Sequence, residues 1–148
     1  MNGGAAASKI RTGYHSGMTI AVVDDLMFAS KIRATAERAG AEVTFVRTRD
    51  AVLPAISTNR PSLVIFDLDR EPLDPLGAIR EIRADQELRS TRLVAFVRHT
   101  SGELIAAARE AGIDQVLARS AFFPALADML APADRPDGLV EPDPTDAA

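Results

Sequence analysis

Leu63-Val64-Ile65-Phe66-Asp67-Leu68-Asp69 sets four apolar residues in an unbroken run and ends them in a carboxylate. Pro61 and Ser62 precede the run and Pro72 follows it. A run this short, apolar at consecutive positions, predicts a strand buried on both faces. Such strands belong to open α/β sheets, where ligands lie outside the carboxyl ends of the strands. Asp67 falls at one of those ends and is the first candidate for any chemistry the chain performs.

The pattern repeats outward from this centre. Thr19-Ile20-Ala21-Val22-Val23 is a second buried run, and it ends in Asp24-Asp25. Val43 to Val46, Leu93 to Val97 and the short Val116 to Ala118 complete five strands. Helical spacing fills the intervals. Phe28, Ile32 and Ala36 recur up to Ala39, with Gly40 placed to close that helix. A short helix begins near Asp50, where Pro54 is tolerable because it falls near the first turn. Leu76, Ile79 and Ile82 mark a third helix. Thr100-Ser101-Gly102-Glu103 has the form of a capping box opening a fourth that runs to Gly112, and Phe123 to Leu130 is the last. Five strands alternating with five helices predict an α/β fold: a five-stranded parallel sheet, doubly wound, with right-handed crossovers. One domain is expected over 18–131. Residues 1–17 read as a flexible leader, with Met18 an alternative start, and 132–148 as a disordered Pro/Asp-rich tail.

Bulk properties narrow the function classes. The net charge of −4 offers no basic surface for nucleic acid. With no cysteine, disulfides and thiolate zinc sites are excluded. No apolar run approaches the ~20 residues of a membrane span, and the first residues lack the apolar core of a signal peptide. The expectation is a cytoplasmic protein without a membrane partner. His15, in the leader, and His99, in a loop, have no neighbouring ligand-type residues in the sequence and read as solvated.

If strands one and three are adjacent, Asp24, Asp25 and Asp67 converge. Carboxylates so close raise one another's pKa unless a cation neutralises them, and an all-oxygen cluster suits Mg²⁺. At this point the chain resembles the receiver domains of the bacterial response regulator family, from Thr19 to about Leu130. The resemblance rests on Val23-Asp24-Asp25, on Leu63 to Leu68, and on Gly112-Ile113-Asp114 before the fifth strand. It implies the flavodoxin-like receiver fold and two-component (phosphorelay) signalling. It further implies that Asp67 accepts a phosphoryl group from a histidine kinase. The same resemblance makes Asp24, Asp25 and Asp67 the Mg²⁺ ligands, helped by the backbone carbonyl of Asp69.

Several positions depart from that family. Val97, thirty residues beyond Asp67, stands where the family carries Ser or Thr, and Arg98 follows where a small residue is usual. Arg119, fifty-two residues beyond Asp67, replaces Lys, and Ser120 replaces the Pro after it. Val116 takes the aromatic switch position, and the turn after Asp67 is rewritten as Asp69-Arg70-Glu71-Pro72-Leu73-Asp74-Pro75. Arg98 and Arg119 would both face the acidic cluster. A guanidinium fork pairs well with a carboxylate, so one of them is expected on Asp67, Asp24 or Asp25. The competing expectation is that Arg98 points outward as a surface charge.

The reading that follows is a stand-alone atypical receiver that acts through protein contacts, with phosphorylation at Asp67 weakened or lost. Its docking face is expected around the fourth helix, fifth strand and fifth helix, with Leu104, Phe122 and Phe123 as candidates and core packing the commoner job for at least one of the two Phe residues. The alternative is a phosphorylation-competent receiver, since Mg²⁺ and the acceptor do most of the electrostatic work of transfer. A remote third reading is a phosphatase, because Asp67-Leu68-Asp69 also resembles the first motif of the haloacid-dehalogenase type.

Overall fold

The computed structural model describes residues 17–98 and 102–130. The expected leader and tail lie outside the described residues, apart from Gly17, and so do His99 and the Thr100-Ser101 half of the capping box. Strands β1 (Thr19–Val22), β2 (Val43–Val46), β3 (Leu63–Asp67), β4 (Arg92–Val97) and β5 (Gln115–Ala118) alternate with five helices. The helices are α1 (Leu26–Ala39), α2 (Val52–Asn59), α3 (Pro75–Ala84), α4 (Gly102–Ala111) and α5 (Arg119–Leu130). The strands form one sheet in the order β2-β1-β3-β4-β5, parallel throughout.

Both faces of that sheet are covered, which is why its central strands read as unbroken apolar runs. Val64 and Phe66 of β3, with Leu93, Ala95 and Val97 of β4, point to one layer. Val52 and Ile56 of α2, Ala78, Ile79 and Ile82 of α3, and Ala108 and Ala111 of α4 fill the same layer. Leu63, Ile65, Val94 and Phe96 point the other way, onto Ile32 and Ala36 of α1 and Phe122, Leu126 and Leu130 of α5. Each fully buried side chain of this size contributes about 1.5–3 kcal/mol, so the central strands are the most firmly held backbone in the fold. Asp67 is mounted on one of them.

Local chemistry sets the helix ends. Asp25 caps α1, its Oδ1 accepting from the Phe28 N–H at 3.0 Å. Gly40 closes α1 with φ +69°, its N–H reaching the carbonyls of Ala36 and Glu37. Asp74 caps α3, accepting from the Gly77 N–H at 3.2 Å. A 3-10 turn at Arg49–Ala51 leads into α2, and Pro54 sits in its first turn as expected.

The last helix departs from expectation. It begins at Arg119 rather than Phe123 and carries Pro124 in its interior. Pro124 lacks the N–H that would bond the Ser120 carbonyl, but both residues are exposed, so water is available to that carbonyl. The earlier start places Phe122 in the core at 0% exposure. Phe122 is therefore packing, not docking surface, whereas Phe123 and Leu104 are half-buried against the two layers.

Arg83 of α3 locks the β4–β5 end of the sheet. It donates to the carbonyls of Gly112 (2.7 Å), Arg89 (2.6 Å) and Thr91 (2.8 Å), and to Asp114 Oδ2 (2.7 Å). Its aliphatic stem lies across Gly112, whose φ is +112° and where a Cβ would stand 2.6 Å from Arg83 Cγ. Only glycine meets both demands there.

Candidate acidic site at the carboxyl ends of the strands

Asp67 closes β3 in register with Phe96, and the ladder runs one step further through the Leu68 N–H to the Phe96 carbonyl at 3.0 Å. The chain then turns. The Arg70 N–H bonds the Asp67 carbonyl at 3.2 Å, and the Asp69 N–H bonds Asp67 Oδ1 at 3.1 Å. This side-chain bond two residues on is the local preference of Asp in turns, and it fixes the carboxylate. Asp67 is 2% exposed. Burial pushes its carboxyl above the usual range, and the Asp69 charge adds to that. The Asp69 N–H bond and the Arg119 and Arg70 charges pull the other way without cancelling it.

The neighbouring carboxylates are already engaged. Arg70 grips Asp24 bidentately, Nε to Oδ1 and Nη2 to Oδ2, both at 2.9 Å. This pairing raises the pKa of Arg70 further. Asp25 is exposed and spends Oδ1 on the α1 cap. Asp69 Oδ2 accepts from the Arg98 backbone N–H at 2.6 Å and lies 3.7 Å from Arg119 Nη2.

The arginine expectation is therefore corrected in its residues. Neither Arg98 nor Arg119 pairs with Asp67, Asp24 or Asp25. Arg98 is exposed, and the bond it makes to the rim is through its main chain. Arg119 lies over the Phe28 ring, 4.2 Å from its centroid, which carries the guanidinium to Asp69 instead. Phe28 is itself held by Phe96 and Phe123, at 5.6 and 5.9 Å between centroids. The cation on the Asp24-Asp25 side is Arg70, which belongs to the altered turn after Asp67. Arg119 Nε is buried without a hydrogen-bond partner.

Val97 is 1% exposed, packed in the layer that holds Leu93 and Ala95, and presents no hydroxyl. Val116 is half-buried against the same layer, opposite Ala95.

Among the described residues, no three His, Cys, Asp or Glu side chains are grouped so as to hold a metal ion. Mg²⁺ demands near-octahedral oxygen and retains several waters. With Asp24 clasped by Arg70 and Asp67 fixed to the Asp69 N–H, the residues as arranged do not fit that ion.

A concavity of about 630 Å³ opens elsewhere, lined by Arg83, Arg89, Thr91, Arg92, Asp114 and Gln115. It lies at the amino ends of β4 and β5, and the Arg83 and Asp114 charges there are spent on holding the sheet together. The candidate site is the opposite rim. No helix among the described residues is long and apolar enough to cross a membrane.

No family model matches the chain, and no curated protein sequence does. Solved structures do. The chain is similar to the chemotaxis response regulator CheY4 of Vibrio cholerae, with 18% identity over 76% of this chain and 94% of that one and a TM-score of 0.68. A response regulator from Hahella chejuensis matches with 16% identity, 86% and 98% coverage and a TM-score of 0.70. The receiver domain of a sensor histidine kinase from Pseudomonas aeruginosa PAO1, solved with magnesium in its active-site cleft, matches with 23% identity, 76% and 93% coverage and a TM-score of 0.68. At these identities the likeness is one of fold, and the chain has the flavodoxin-like fold of response regulator receiver domains.

Proposed function

We propose that this chain is a receiver-like module of two-component signalling that works by docking to a histidine kinase or another signalling protein, with phosphoryl transfer to Asp67 weakened or lost. The observation that carries this reading is the state of the acidic rim. Asp67 is buried, Asp24 is clasped by Arg70, and Asp69 is held by the Arg98 N–H with Arg119 beside it. Such a rim meets an incoming phosphoryl group with Asp24 and Asp69 already engaged by partners within the chain. Val97 then offers no hydroxyl to bond a transferred phosphoryl oxygen.

The test is incubation of the full chain with acetyl phosphate and Mg²⁺, followed by intact mass. The expected result is no stoichiometric adduct under conditions that modify an ordinary receiver. A quantitative adduct that disappears in Asp67→Asn overturns the proposal.

That opposite outcome belongs to a second reading, a phosphorylation-competent receiver, which one observation favours. The Arg119 Nε–H is a buried donor without an acceptor, and a phosphoryl oxygen on Asp67 is the kind of group that would satisfy it. The phosphatase reading has less support. Its motif would have to open the fold, whereas Asp67-Leu68-Asp69 follows the third strand, and Asp69 spends Oδ2 on the Arg98 N–H. No turnover of a generic phosphate ester is expected.

A further inference from the structure

We propose that Arg70 is a built-in counter-ion, holding at Asp24 the place that a divalent cation would otherwise take. Three features support the assignment. The contact is a full fork, two N–H···O bonds of 2.9 Å to the two oxygens of a single carboxylate, so both Asp24 oxygens are engaged by the one guanidinium. The arginine is anchored beside the rim, because its own N–H is bonded to the Asp67 carbonyl and its side chain starts at the mouth of the site. Its charge also acts on Asp67 and Asp25, so a single guanidinium is felt by all three carboxylates. A tethered cation is present at a high effective concentration whatever the ionic composition of the solution. A free divalent ion must displace it before reaching Asp24.

The inference concerns the same rim as the proposed function but not the same event. One measurement reads cation occupancy and the other reads a covalent adduct on Asp67, so either can fail alone. Removing Arg70 should expose Asp24 beside Asp67 and restore a demand for a cation.

The test is titration of the full chain with Mn²⁺, followed by paramagnetic broadening of backbone amides, with a parallel Mg²⁺ titration by calorimetry. In Arg70→Ala and in Arg70→Gln, divalent affinity is expected to rise by about tenfold or more over wild type, the order that loss of one close positive charge permits near a protein surface. The glutamine variant retains side-chain bulk and hydrogen-bonding capacity, so a gain there assigns the effect to charge rather than to steric cover. Adding Asp24→Asn to either variant is expected to erase the gain. Circular dichroism confirms that each variant is folded. The proposal is overturned if wild type binds Mg²⁺ or Mn²⁺ as tightly as Arg70→Ala, if the glutamine variant behaves as wild type, or if the gain survives Asp24→Asn.

Discussion

Replacing Asp67 with asparagine should stabilise the fold at neutral pH, against the usual expectation that changing a buried hydrogen-bonded residue does harm. The side chain is 2% exposed, and the variant is nearly isosteric. The amide carbonyl can still accept from the Asp69 N–H, now 3.1 Å from Oδ1. What disappears is a charge that burial makes costly and that Asp69 repels. The attraction of Arg119 and Arg70 is lost with it, but those two charges do not outweigh burial, since the carboxyl of Asp67 sits above its usual range. Each tenfold change in proton affinity between folded and unfolded chain is worth about 1.36 kcal/mol. A gain on the order of 1 kcal/mol moves the melting midpoint of a domain this size by roughly 4 °C.

The pH dependence carries the sign. A carboxyl whose folded pKa lies above its unfolded value contributes stability that is fully present below the unfolded value, ~3.9, and is lost as pH rises through the folded one. Asparagine does not titrate. The variant's advantage should therefore be small at the acid end, widen through the carboxylate range and level off by neutral pH. Thermal denaturation followed by circular dichroism at fixed ionic strength measures it directly. A variant that melts at or below wild type at neutral pH, or a difference indifferent to pH, would refute the electrostatic account of Asp67.

Two further substitutions probe the frame and the buried position of Val97. Arg83→Met keeps the stem across Gly112 but strips the bonds to the Gly112, Arg89 and Thr91 carbonyls and to Asp114, so urea denaturation should show a loss of about 2–4 kcal/mol. Retention of wild-type stability would mean that water replaces the guanidinium without cost. Val97→Thr places a hydroxyl at a position that is 1% exposed, with an expected cost of about 1–2 kcal/mol by the same measurement. No measurable cost would show that this position opens onto the rim and finds a partner there.

What could be read from the sequence and what could not divide along a physical line. Strand ends are legible, because a buried parallel strand needs apolar residues on both faces and the first charge after it marks the rim. Asp67 and the Asp24-Asp25 pair announce themselves in this way, and the adjacency of β1 and β3 follows from the sheet order. Side-chain partners are less legible, since they depend on where long, flexible chains come to rest. Arg98 and Arg119 were placed correctly at strand ends, yet their destinations were decided by a main-chain bond and by the Phe28 ring. Phe122 could have been found from its spacing with Leu126 and Leu130, which share one helix face.

Arg70 is the most instructive case, because it pairs with a residue 46 positions away and no local pattern joins the two. A cue was nevertheless present in the rewritten turn: a cation three residues after the buried carboxylate. From there the side chain reaches Asp24, and the turn that presents it is already ordered by the Asp67 carbonyl. Less conformational freedom is given up by such a residue than by an arginine that must be ordered from a neighbouring loop. Where a turn arginine follows an acidic strand end this closely, self-neutralisation is the first arrangement to test, ahead of pairing from the adjoining strands.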